Sequence, residues 1–209
     1  MTPLPPDPFP GIHRHSLTAG TMIDRIHDSR FAANAFNPGL GGPSRFAPLA
    51  RPGGGCIPHI YAAHGYECAA HETVFHEIQH DAARKTIAKP RIDPLCLSRL
   101  RCRRDLSLCG LFQPDLNAWG IERTALIDTF ASFYPRTVRW ALAIHAAHDV
   151  DGLIWTSRRC DPATALILFG DRVNPDDLEI VGSERIVASN PLFEDLRGFG
   201  ARAGITIVL

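Results

Sequence analysis

The fold of this chain turns on "YAAHGYECAAHETVFHEIQH", residues 61–80. Tyr61 stands near the end of a run of strand length, "CIPHIYAA" (56–63), in which Pro58 marks an edge or a strand start. A periodic segment from about Glu67 to Lys85 predicts a helix: at about 100° per residue, Cys68, Phe75, Ile78 and Ala82 fall on one apolar stripe. The unit is therefore strand, turn and helix, with a tyrosine closing the strand and a carboxylate, Glu72, in the first turns of the helix.

Two glutamates compete for chemical meaning here. "HEIQH" (76–80) fits H-E-x-x-H, in which two histidines on one helix face bind zinc and the glutamate polarises a water. His76, Glu77 and His80 meet that spacing, and a zinc-dependent metallohydrolase is the alternative they support. Against it, no Gly-x-x-His continuation follows, no glutamate occurs between Glu77 and Glu122, and Asp81 sits directly after the motif. The stripe also turns Glu77 and His80 toward solvent. Glu72 instead lies at the edge of the stripe, where a carboxylate beside apolar surface needs a partner or a purpose.

Composition narrows the class. The 209 residues are 45% hydrophobic and 21% charged, enough for a buried core in one globular domain. Lys+Arg and Asp+Glu are equal at 22 each, so no global field draws the chain to nucleic acid or anionic lipid. The one basic run, "RLRCRR" (99–104), lacks interleaved aromatics, and strand alternation splits its arginines between two faces, so direct nucleic-acid binding is not expected. No apolar run approaches the roughly 20 residues of a membrane span. The start, "MTPLPPDPFPGIHRHS", lacks the basic and apolar regions of a secretory signal. The six cysteines form no C-x-x-C pair and read as reduced, mostly buried thiols. A cytoplasmic protein is expected.

Along the chain, residues 1–19 read as a Pro-rich arm and 20–209 as one catalytic domain. "TMIDRIH" (21–27) alternates as a strand carrying Arg25. "FNPGLGGPSRFAPLARPGGG" (36–55) is a long Gly/Pro loop with Arg45 in it. One or two strands are expected over 94–111, helices over 122–135 and 136–148 with Pro135 at the junction, and strands at 152–157 and 163–170. A helix broken by glycines over 191–204 and a last strand at 205–209 complete the pattern. Strands and helices mix without strict alternation, so the fold class is α+β.

Five segments in order carry a resemblance: "DRIHD" around Arg25, "FNPGLGGPSRFAP" around Arg45, "IYAAHGYECAAHE" from Ile60 through Tyr61 to Glu72, "DGLIWTSRR" around Ser157, and "ALILFG" after it. Over residues 20–175 the chain resembles the RES family, named for an Arg, a Glu and a Ser. Two departures are a longer loop between Arg45 and Tyr61, with the insert "RPGGG", and a long stretch between Glu72 and Ser157. The segment from about 91 to 150 therefore reads as a family-variable region or a partner-binding surface.

The resemblance implies a mixed β core related to ADP-ribosyltransferases and the activity of a bacterial toxin that cleaves the nicotinamide–ribose bond of NAD+. It implies transfer of ADP-ribose to phosphate or water (an NAD+ phosphorylase or glycohydrolase), with a protein acceptor as the alternative. The implied partner is an Xre-type antitoxin that blocks the active site. The residue chemistry suits this without a metal. Arg25 and Arg45 can clamp the pyrophosphate in charge-assisted bonds. Tyr61 offers a ring for nicotinamide or a hydroxyl for ribose, and Ser157 a hydrogen bond to ribose or carboxamide. Glu72 would stabilise the oxocarbenium-like ribose left when nicotinamide departs. A non-enzymatic nucleotide- or partner-binding module is the remaining rival.

Overall fold

The computed structural model describes residues 2–51, 53–79 and 81–208. After an irregular start come β1 (Arg14–Leu17), β2 (Met22–Asp28), β3 (Leu49–Ala50), β4 (Cys56–Ile57), β5 (His59–Ala63), α1 (Tyr66–Thr73), β6 (Thr86–Ala88), β7 (Leu95–Cys102) and β8 (Leu106–Gly110). Then follow α2 (Gln113–Ala118), α3 (Arg123–Leu126), α4 (Tyr134–Ala147), β9 (Gly152–Thr156), β10 (Thr164–Phe169), β11 (Leu178–Arg185), α5 (Asn190–Arg202) and β12 (Thr206–Val208). Eight strands form one sheet in the order β1-β8-β9-β10-β5-β2-β7-β11, antiparallel except for β8 beside β9. The parallel pair needs a crossover, which α2 to α4 supply. This is the expected α+β class.

Period-2 alternation sorts the strand residues between two cores. Leu153, Trp155, Ala165, Ile167 and Phe169 face a large core with α1, α4 and α5, whereas Ile154, Leu166, Leu168 and Ile60 face a smaller one on the other side. Both sheet faces are covered, which is why β10 reads as an unbroken apolar run. Pro58 divides the run at 56–63: Cys56–Ile57 pairs with β3, and β5 starts at His59. Pro135 opens α4 near its N-terminus, where its missing N–H costs nothing. The 91–150 segment supplies β7, β8 and α4 and so belongs to the core.

Several expectations need correction. The helix expected over 67–85 ends at Thr73, and residues 74–79 run as turns. Arg159 Nη1 donates to the carbonyls of Phe75 (3.3 Å) and Ile78 (2.8 Å), competing with any continuation of the helical ladder. The helix over 122–135 shrinks to α3, while α5 runs unbroken because its buried Leu196 packs it onto the large core. β1, β6, β11 and α2 carried too little periodicity to be foreseen. In "RLRCRR", Arg99 and Arg101 share one exposed face instead of splitting, since they are two apart on β7. Arg99, Arg101 and Arg104 pair with Asp24, Glu179 and Asp151, so these three form a solvated, neutralised stripe. Among the described residues no helix is long and apolar enough to cross a membrane.

The irregular N-terminal residues pack against the body. Phe9 stands edge-on to Trp119 and Trp140, while Arg136 and Trp140 of α4 donate to the carbonyls of Thr2 and Pro3. At the centre of the sheet, a Cβ on Gly152 would collide with the carbonyl oxygen of Ile167 on the neighbouring β10. Gly152→Ala is therefore expected to lower stability by about 3 kcal/mol. Urea denaturation reads this directly, and an unchanged midpoint would contradict so close a strand approach.

Candidate active site

Strands β2 and β5 share a single register pair, Asp24 with Ala63, and separate beyond it. The gap becomes a cleft of about 720 Å³, whose lining includes Arg25, Arg45, His59, Tyr61, Glu72 and His76. Four of the five sequence-predicted residues thus meet in one cavity. Ser157, fully buried, reaches it through Glu72.

Gly65, at φ 92°, makes the left-handed turn that swings the chain from β5 into α1. Glu72 then falls in the last turn of this short helix, not in its first turns as the sequence suggested. A carboxylate near a helix C-terminus faces an unfavourable dipole, and two tertiary contacts offset it. Ser157 Oγ donates to Glu72 Oε1 at 2.6 Å, and Arg45 Nη1 lies 3.7 Å from Oε2. Glu72 is only 12% exposed. Ser157 Oγ also accepts the N–H groups of Arg159 (3.2 Å) and Cys160 (3.1 Å). Its hydroxyl therefore orients Glu72 and closes the turn after β9. It is not among the groups lining the cleft, which it meets through Glu72.

Arg45 sits on the loop between β2 and β3, which is pinned from several directions. Phe46 is buried edge-on to Trp155, and the Arg45 carbonyl accepts from the hydroxyl of Thr137 on α4. Tyr61 Oη accepts the Phe46 N–H (2.9 Å) and lies 3.0 Å from Ser44 Oγ, whose own proton goes to the Ala47 carbonyl (3.2 Å). The Tyr61 hydroxyl is thus engaged in holding this loop, and its ring is what remains for a ligand. Burial pushes that phenol up to about 12, so it stays neutral. Arg45 is 4% exposed and its Nε has no hydrogen-bond partner.

Arg25 donates from Nη1 to the carbonyls of Ala33 (2.7 Å) and Ala35 (2.8 Å). Neither neighbouring aspartate pairs with it: Asp24 is bidentate to Arg99, and Asp28 is held by Arg30. Burial lowers its guanidinium to about 10, which leaves it cationic at neutral pH and without a carboxylate.

Sequence reasoning missed His59, Tyr134, Arg158 and Arg159. His59 shares a strand face with Tyr61 two residues on, a signal visible in "PHIYAA". Burial first, then the charge of Arg25, push it down to about 4, so it is neutral at pH 7. His76 Nε2 meets Tyr134 Oη at 3.1 Å, while the exposed Glu77 pairs with Arg91 at 3.0 Å. His76 and Glu77 lie in the turns after α1 and not on a helix, and His80 lies outside the described residues. Nothing local announces Arg158 and Arg159.

A family model described as RES domain matches residues 22–188. No match is found among curated proteins. Among solved structures, a chain of the crystal structure of the M. tuberculosis MbcT–MbcA toxin–antitoxin complex is similar at a TM-score of 0.60 and 18% identity, with 88% of this chain and 92% of that chain covered.

Among the described residues, the Tyr61 hydroxyl is the one acceptor for the Phe46 N–H. Tyr61→Phe should therefore cost about 2 kcal/mol of stability, measured by chemical denaturation. A neutral substitution would show that the loop is held by other contacts.

Proposed function

The chain belongs to the RES domain family, and from that membership we propose that it is a toxin-type enzyme that cleaves the nicotinamide–ribose bond of NAD+. The observation that carries this proposal is the buried constellation of Glu72, held by Ser157 Oγ and Arg45 in a cleft that also contains the carboxylate-free Arg25.

In this mechanism Arg25 and Arg45 hold the pyrophosphate of NAD+, and Arg45 is fixed for the task by Thr137. The Tyr61 ring and neutral His59 supply flat, uncharged walls for the nicotinamide ribose end. The C–N glycosidic bond breaks with its electron pair moving onto the nicotinamide nitrogen, which cancels that ring's positive charge. Positive charge then develops on the ribose. Glu72 opposes it from a site where low exposure strengthens the field, and its orientation is already set by Ser157. Phosphate or water completes the reaction, giving an NAD+ phosphorylase or glycohydrolase, and the protein residues named here need no metal for these steps.

An Xre-type antitoxin is the proposed partner. Phe31 and Leu40 line the cleft with large apolar side chains exposed to solvent, a surface that a covering protein would bury.

The purified protein should release nicotinamide from NAD+ without added metal and at the same rate with a chelator present. Glu72→Gln should cut that rate by about 100-fold or more, whereas Glu77→Gln, at an exposed ion pair, should change it little. Chelator-sensitive hydrolysis with the opposite ranking of the two variants would favour zinc chemistry instead. Expressed alone in bacteria, the chain should deplete NAD+ and arrest growth. Normal NAD+ levels during expression of folded protein would argue for a binding module.

A further inference from the structure

Two cavities meet at His76. The cleft of about 720 Å³ and a neighbouring lobe of about 600 Å³ are both lined by it, together with Ser44, Arg45 and Glu77. Glu72 lines the cleft, and Tyr134, Arg158 and Arg159 line the lobe. His76 follows Glu72 by four residues, just past the end of α1. The steps derived for nicotinamide release leave this histidine without a task.

Its two ring nitrogens have different surroundings. Nε2 lies 3.1 Å from the hydroxyl of Tyr134, a buried residue at the start of α4. The two rings lie 6.2 Å apart and tilted by 34°, which holds the imidazole plane. Among the described residues this contact is the one hydrogen bond that either side chain makes. Burial raises the Tyr134 phenol, so its oxygen keeps its hydrogen. A buried phenol hydrogen needs an acceptor, and His76 Nε2 is the one within reach. Tyr134 therefore donates to Nε2. A neutral imidazole that accepts at Nε2 carries its hydrogen on Nδ1, so an N–H donor is left for a ligand on a residue that walls both cavities. Charged groups face His76 from several elements: Glu72 on α1, Arg45 on the loop before β3, Arg159 on the turn after β9, and its neighbour Glu77. Burial lowers the imidazole first, Glu72 and Glu77 raise it, Arg45 and Arg159 lower it again, and the net direction is down. His76 is therefore neutral at pH 7.

We propose that His76 is a further substrate-binding residue, whose Nδ1–H donates to a hydroxyl oxygen of the ribose that loses nicotinamide, and that Tyr134 is a positioning residue that fixes this tautomer through Nε2. The proposal rests on the assignment of NAD+ to the cleft. Glu72 must stand against that ribose to oppose the charge developing on it, and His76 lines the same cleft. A carboxylate accepts hydrogen bonds from ribose hydroxyls and gives none, so the histidine supplies the complementary donor. Neutrality matters as much as place. An imidazolium next to Glu72 would cancel part of the carboxylate's field on the ribose. Tyr134 works against that outcome, because a proton on Nε2 would face the phenol hydrogen and break their bond. The pair thus delivers a hydrogen bond to the ribose without adding a charge.

Nitrogen NMR of the His76 imidazole in the wild-type full chain, assigned by its loss in His76→Asn, reads the tautomer without any turnover. Hydrogen on Nδ1 and none on Nε2 is expected, and the reverse would overturn the proposal. Steady-state nicotinamide release from NAD+ then reads the contact. His76→Leu should lower kcat/KM about tenfold or more. His76→Asn, whose amide nitrogen overlies Nδ1, should stay within about threefold of wild type. His76→Gln, whose amide nitrogen overlies Nε2, should fall with the leucine variant. Asparagine and glutamine variants that fold and behave alike would refute a donor at Nδ1. In Tyr134→Phe the imidazole loses the bond that favours its neutral form and takes up a proton more readily, so the loss of activity on the acid side should move to higher pH. Adding this change to His76→Leu should cost nothing further. An acid limb that stays in place, or a full additional loss in the double variant, would assign Tyr134 to packing alone. Absence of nicotinamide release from the wild type under any condition would remove the cleavage and the ribose contact together, while the NMR tautomer would still report on the Tyr134–His76 bond.

Discussion

Strands β2 and β5 touch at one register pair, Asp24 with Ala63, and the cleft that holds Arg25, Arg45, Tyr61 and Glu72 lies where they part. Had the two strands zipped along their length, Arg25 and Tyr61 would stand on the surface of a closed sheet. The separation is held open by polar commitments on both sides. Arg25 is bonded to the loop carbonyls of Ala33 and Ala35, and Tyr61 holds the loop at Phe46 and Ser44. At the closed end, Asp24 is buried and bidentate to Arg99, which fixes the point of divergence. The open end thus costs the sheet its ladder hydrogen bonds there and gains a cavity lined by groups that an apolar core would reject.

The charge pattern inside follows the same logic. Glu72 is the carboxylate shared by Arg45 and Ser157, and Arg25, Arg158 and Arg159 have no carboxylate of their own among the described residues. Backbone carbonyls fix these guanidinium groups in position without neutralising them. These guanidinium groups line the two cavities instead of the apolar core. Neutral His59 and the protonated Tyr61 phenol add polarity without further charge.

Much of this was legible in the sequence, for reasons that can be named. Alternation over 21–27 marked one strand, and the apolar runs at 152–157 and 163–170 marked two more, unbroken because both of their faces are covered. Arg25, Arg45, Tyr61 and Glu72 were identifiable as residue types suited to a dinucleotide, and the structure brings them to one cleft. The end of α1 was not legible, since its stripe of Cys68, Phe75 and Ile78 continues past Thr73 in helical phase. Arg159, eighty-four residues from Phe75, accounts for the break by taking its carbonyl and that of Ile78. Ser157 was singled out as a ligand contact, yet its hydroxyl lies on Glu72, 85 residues away in sequence.

By itself the sequence determined the strands at 21–27, 152–157 and 163–170, a part of the residues with usable chemistry, and that the chain has no global charge to bind a polyanion. These properties depend on periodicity and composition, and both are local or additive. Only the tertiary structure decided where helix α1 stops, which oxygen of Glu72 each partner holds, and that Arg158 and Arg159 join Arg45 around a second cavity. Each of those outcomes is a competition for hydrogen-bond partners or for burial between groups far apart along the chain. Such competitions are settled when the sheet and helices pack, because only then are the rival donors and acceptors within reach of one another.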